Sequence, residues 1–155
     1  MARSTEPLAP GDLLELLLAA LEHELPRAVA LRHRLHAEPE LAHAEERTAA
    51  TIAAELPVAC ETVAGTGRLA RIGEQASAEK GAGAPPVAVR AELDALPVRE
   101  RTGAEFAATG EAMHACGHDV HMAALVALAR AAHELRAALP LPLLAVFQPS
   151  EEAYP

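Results

Sequence analysis

A chain of 155 residues, 51% of them apolar, has the length of one domain and can remove roughly 68–70% of its unfolded surface from water. Its formal charge of −9, with no basic run, excludes a nucleic-acid partner, because such binding rests on Lys and Arg neutralising phosphates. No apolar stretch approaches the ~18–20 residues that span a bilayer, so no membrane association is expected.

With two Phe, one Tyr and no Trp, the core must be filled by Ala, Leu and Val, which favours helices packed closely on a sheet. The N-terminal stretch "LLELLLAAL" is preceded by Asp12, interrupted by Glu15 and closed by Glu22, so it reads as an amphipathic helix and not as a leader segment. Asp12 is its expected N-cap, and Leu13, Leu14, Leu17, Leu21 and Leu25 recur at helical spacing. Pro26 is expected to kink or restart the helix before Val29, Leu31 and Leu35, and Pro39 to end it. Thr48, Ile52 and Leu56 mark one face of a second helix over 45–56, stopped by Pro57.

Short strands are predicted at Val58–Val63 and Leu69–Ile72 around the turn "AGTG", followed by a small, polar, glycine-rich loop from Gly73 to Pro86. Val87–Leu93 reads as a buried strand, whereas 97–113 has no clean period. Asp119 is expected to cap a long helix reaching Leu139, with Leu125, Leu128, Ala132 and Leu135 on one face. Leu143–Phe147 is a compact apolar strand stopped by Pro149. Strand, loop, long helix and strand form a βαβ unit, which implies an α/β domain with a mainly parallel sheet flanked by helices.

Ligands of open parallel sheets bind at the carboxyl ends of the strands, and three polar clusters fall there. Asp94 follows one strand, Cys116 and His118 precede the long helix, and Glu151 and Glu152 follow the last strand. In an extended segment a C-x-H spacing puts both side chains on one side, and Gly117 lets the backbone bend between them. Thiolate, imidazole and carboxylate donors suit Zn²⁺ or another divalent transition ion. The plain alternative is a small buried cysteine among solvated or capping histidines. Glu151 and Glu152 fit either a solvated loop or a metal ligand beside a general base. Asp94 fits either a group orienting a ligand imidazole or a turn residue. Cys60 and Cys116 allow one disulfide, yet nothing else has the pattern of a secreted scaffold, so a cytoplasmic location is expected.

The stretches "RHRLHAEPELAHAEERTAATI", "VAVRAELDALPVRERTG", "MHACGHDVH" and "FQPSEE", in this order, resemble the M20 metallopeptidase-like amidohydrolases. The branch most similar contains hippurate hydrolases, N-acyl-amino-acid amidohydrolases and auxin-conjugate hydrolases. The resemblance implies that Cys116, His118 and Glu152 are metal ligands and Glu151 the general base. It matches Asp94 to an aspartate of the family's Arg-Ala-Asp-Met-Asp-Ala-Leu-Pro segment. Glu92 stands where that segment has Asp, and Ser150 where Ala is common, while His114 and His121 match no ligand position. Further implications are two divalent ions (Zn²⁺, Mn²⁺ or Co²⁺) per intact active site, a small N-acyl amino acid as substrate, and homo-oligomers. Residues 1–155 would be the N-terminal portion of a catalytic domain, without the lid and dimerisation domain or the C-terminal part. Two other readings are a catalytically inactive fragment of such an enzyme and a metal- or redox-responsive binding module using Cys116.

Overall fold

The computed structural model describes residues 9–73 and 85–153. In chain order the elements are α1 (Pro10–Ala37), α2 (Glu46–Glu55), β1 (Glu61–Val63), β2 (Gly67–Ile72), β3 (Val87–Glu92), α3 (His118–Glu134) and β4 (Leu143–Gln148). They form one four-stranded sheet in the order β1-β2-β4-β3. The loop expected over Gly73–Pro86 lies mostly outside the described residues.

The α/β class and the β3–α3–β4 unit are as expected. β3 and β4 run parallel from Val87 opposite Leu143 to Glu92 opposite Gln148. The sheet as a whole is mixed and not mainly parallel, since β1–β2 and β2–β4 pair antiparallel. The reason is local: the three residues between Val63 and Gly67 can only turn the chain back on itself, which makes a hairpin. Gly67 must be glycine at the close approach that follows, because a Cβ there would sit 2.7 Å from the Val63 carbonyl oxygen.

The core lies on the sheet face covered by the helices. Ala70, Ile72, Ala91, Leu143, Ala145 and Phe147 meet Leu31 and Leu35 of α1, Ile52 of α2, and Met122, Leu125, Val126 and Ala129 of α3. Full burial of Phe147 alone is worth about 1.5–3 kcal/mol, and the many alanines let helices approach the sheet closely. Arg130, buried in α3, locks the helices together: it donates to Glu24 of α1 at 3.2 Å, to the Glu55 carbonyl at 2.9 Å, and to the Glu55 carboxylate.

Four local expectations are corrected. α1 continues through Pro26 as one helix, so the proline does not restart it. The proline ring is exposed and removes one backbone bond, while Glu24 on one side and Ala28, Leu31 and Leu35 on the other are held by packing. Its N-cap is Ala9 with Pro10 in the first turn, so Asp12 lies inside the helix; Leu14 and Leu25 are exposed. β3 is an edge strand whose first residues are exposed, with burial complete only at Ala91 and Glu92, because no strand covers its outer side among the described residues. α3 stops at Glu134, where Arg136 and Ala138 bond to the carbonyls of His133 and Leu135 and tighten the chain into turns before Pro140.

Candidate functional site

Parallel pairing places the ends of β3 and β4 side by side, and the Leu93 N–H donates to the Gln148 carbonyl at 2.9 Å just beyond both strands. Asp94 and the Pro149–Glu152 turn are therefore neighbours by construction of the sheet. The return of the chain through α3 brings His118, its first residue, to the same end. Gly117 precedes it with φ +82°, a left-handed conformation that a side chain rarely adopts. The segment before it is pinned to the chain just beyond β3 by reciprocal Leu96–Met113 backbone bonds of 3.1 and 3.0 Å.

His118 is buried, and its Nδ1 lies 2.8 Å from the main-chain carbonyl oxygen of Asp94. A carbonyl only accepts, so Nδ1 carries a proton, and in the neutral ring the lone pair sits on Nε2. That nitrogen faces Glu151 Oε2 at 3.7 Å and Glu152 Oε1 at 3.8 Å. Among the described residues, His118, Glu151 and Glu152 offer one ligand atom each within 4.8 Å of one another. Cys116 is exposed beside this set and is not one of the three; its thiol is held above its ordinary pKa by a hydrogen bond to Glu152, then by slight burial and the charges of Glu152, Glu151 and Asp94. Cys60 and Cys116 are both free.

Asp94 is fully buried and acts at two points. Its Oδ2 accepts from the Glu152 N–H at 2.8 Å, which fixes the turn, while Oδ1 has no hydrogen-bond partner. An unpaired carboxylate oxygen in a protein interior is costly and calls for a cation or donor nearby. One imidazole nitrogen with a free lone pair, two convergent carboxylates, a neighbouring thiol and this orphaned oxygen form a donor set that fits a divalent transition ion.

Glu92 does not touch His118 by a hydrogen bond; it accepts from His121 Nδ1 at 2.9 Å and forms an ion pair with Arg90 at 2.9 Å. Burial opposes its ionisation most strongly, but the His121 bond and the charges of His118, Arg90 and His121 leave its pKa lowered. His114 is buried with both ring nitrogens unpartnered, and burial pushes its pKa down to about 4. Asp119 is not a helix cap: its Oδ2 accepts from Arg32 Nε at 2.7 Å and from His36 Nδ1 at 2.8 Å, and His36 Nε2 lies 3.2 Å from Glu100. These groups line a cavity of about 380 Å³ with Phe106, over whose ring Arg32 sits at 4.6 Å.

The sequence alone assigns no individual role to Arg32, His36, Glu40 or Glu45. The signal for the first two was the i, i+4 spacing of Arg32 and His36 on one helix face. Glu45 carried none, because its partner Ser150 is 105 residues away.

Residues 88–155 match the family described as Peptidase family M20/M25/M40. The chain is 37% identical over 145 residues to the N-acetyl-L-cysteine deacetylase of Bacillus subtilis, covering 88% of this chain and 32% of that protein. It is 37% identical over 133 residues to the N-acyl-L-amino acid amidohydrolase of Geobacillus stearothermophilus, covering 82% and 34%. Among solved structures, the Bacillus subtilis YxeP protein, described as a dinuclear metal-binding peptidase of the M20 family, superposes with a TM-score of 0.73 at 34% identity, covering 84% of this chain and 37% of that one. The chain thus spans about a third of the length of these relatives. No helix among the described residues is long and apolar enough to cross a membrane.

Proposed function

Because this chain belongs to peptidase family M20, we propose that it carries the water-activating part of a metal-dependent amidohydrolase site that cleaves the amide bond of N-acyl amino acids. The observation that carries this reading is the convergence of His118 Nε2 with the Glu151 and Glu152 carboxylates at the carboxyl end of the parallel β3–β4 pair. In this reading Cys116, His118 and Glu152 hold the metal, Zn²⁺, Mn²⁺ or Co²⁺, with two ions in the intact site. When bound, the metal supplies Lewis-acid polarisation of the amide carbonyl and lowers the pKa of water toward ~7.

The chain's own residues divide the remaining work. Glu151 accepts a proton from the attacking water on a carboxylate oxygen and delivers it to the leaving amine nitrogen. Its side chain is 36% exposed against 14% for Glu152, as suits a base that must reach substrate beside a ligand that need not. Asp94 orients both partners, through its carbonyl to His118 and its Oδ2 to the Glu152 N–H. Free cysteines fit a cytoplasmic location.

The share of each relative that is covered supports a second reading alongside the first: the chain is the N-terminal portion of such a catalytic domain and is silent alone. Both are tested by assaying N-acetyl and N-benzoyl amino acids with added Zn²⁺, Mn²⁺ or Co²⁺. The assay uses residues 1–155 and a chimera in which they replace the matching third of the Geobacillus enzyme. Hydrolysis by the chimera, abolished by Glu151→Gln, with none from 1–155, is the expected result. A folded chimera without activity rejects the amidohydrolase reading, and turnover by 1–155 rejects the silent fragment.

A further inference from the structure

The turn carrying Glu151 and Glu152 is held from below by a residue of another segment. Glu45 is fully buried at the start of α2, and its Oε1 accepts from the Ser150 N–H at 2.8 Å and the Ser150 hydroxyl at 3.1 Å. Its Oε2 accepts from the Thr66 hydroxyl at 2.9 Å. Ser150 has φ +55°, a left-handed conformation that costs a non-glycine residue about 1 kcal/mol or more unless its surroundings enforce it. Its hydroxyl also meets the His43 N–H at 3.1 Å and His43 Nδ1 at 3.1 Å, and His43 is itself left-handed at φ +67°. Two residues on, the Glu152 N–H is taken by Asp94. The strained turn is thus gripped at Ser150 and at Glu152, and Glu151 lies between the two grips.

We propose that Glu45 is a positioning residue: by holding the Ser150 backbone in its left-handed conformation, it aims the Glu151 and Glu152 carboxylates at His118. The geometry serves this role better than a purely structural one. A buried carboxylate that only stabilised the fold could bond any neighbour, whereas one oxygen of Glu45 takes both donors of the single residue that precedes the two site glutamates. The inference rests on the metal reading of His118, Glu151 and Glu152, and its test separates the two.

The experiment titrates residues 1–155 with Co²⁺, followed by its visible absorption bands. Hydrogen exchange of the 147–153 segment is measured without metal. Glu45→Ala is expected to weaken Co²⁺ by about tenfold or more and to speed exchange at 147–153. Glu45→Gln, which keeps one acceptor for Ser150, should stay within about threefold. Thr66→Val, which breaks only the other bond of Glu45, should leave affinity and exchange unchanged. If Glu45→Ala does not fold, Ser150→Gly tests the same grip from the surface by removing the hydroxyl and freeing the backbone. It should weaken Co²⁺ severalfold and speed exchange. Wild-type affinity in Glu45→Ala, or in Ser150→Gly where that variant stands in, while His118→Ala loses Co²⁺, overturns the positioning role and leaves the metal reading standing. If His118→Ala and the wild type take up Co²⁺ alike, the metal reading fails. Exchange then decides the grip on its own: unchanged protection of 147–153 in the variants overturns it, and lost protection supports it.

Discussion

Asp94 meets His118 twice: its main-chain oxygen lies 2.8 Å from Nδ1, and its carboxylate Oδ1 lies 3.7 Å from the same nitrogen. The first contact survives any substitution at position 94, because it belongs to the backbone. Asp94→Ala therefore leaves the imidazole tautomer intact and removes only the carboxylate with its hold on Glu152. We expect Zn²⁺ affinity, measured calorimetrically, to fall by about 10–100-fold. His118→Ala should remove binding altogether. Equal affinity in Asp94→Ala and the wild type would show that the carboxylate has no part in the site.

Glu151 and Glu152 are adjacent but differ in surroundings, and their substitutions should separate. In the chimera, Glu151→Gln is expected to keep metal content while turnover falls by about 10²–10⁴-fold, since an amide cannot accept the proton. Glu152→Gln should lower metal content and turnover together. Elemental analysis beside a rate assay distinguishes them, and equal metal loss in both would refute the division into base and ligand.

Arg32 tests the support beneath α3. Its bond to the buried Asp119 at 2.7 Å is charge-assisted, so Arg32→Met should cost about 2 kcal/mol in a urea denaturation series. Arg32→Lys should recover only part of that, because an ammonium cannot reproduce the guanidinium's placement over Phe106 and its Nε–H donation together. A loss below about 0.5 kcal/mol in Arg32→Met would mean that His36 alone suffices to hold Asp119.

Glu40 gives the stability a defined acid dependence. Burial resists its ionisation most, but bonds from the Thr48 N–H, Arg47, the Thr48 hydroxyl and the Arg47 N–H outweigh it, leaving the pKa below its usual 4.5. The unfolded chain therefore takes up the proton first as pH falls. The stabilisation is complete above about 4.5 and shrinks as pH drops through the lower folded value. Thermal unfolding of Glu40→Gln should show its largest deficit near pH 7 and converge on the wild type below both values. A deficit that stays constant with acidification would contradict this.

What could be read from sequence was what repeats locally. The apolar period of α3 and the compact run of β4 announced the βαβ unit, and the unit placed three polar clusters at one end of the sheet. Pro26 as a helix restart and Asp119 as a helix cap mislead for one reason: each is the residue's usual local role, and a distant partner decides otherwise. Packing on both sides carries α1 past Pro26, and Arg32 with His36 takes Asp119 away from the helix end. The double use of Asp94, carbonyl to one residue and carboxylate to another, has no trace in composition or spacing. Glu45 was invisible for the same reason, since only the completed fold brings it to Ser150.

The pairing of Glu92 with Gln148 makes the site a gauge of strand alignment. A slide of β4 against β3 by one residue moves its end by about 3.3 Å and turns every side chain to the opposite face. Phe147 would leave the core, and the two glutamates would swing away from His118. Misaligned chains would differ little in helix content yet would lack the cluster entirely. One residue inserted into β4 should therefore erase the site more completely than any single side-chain change within it.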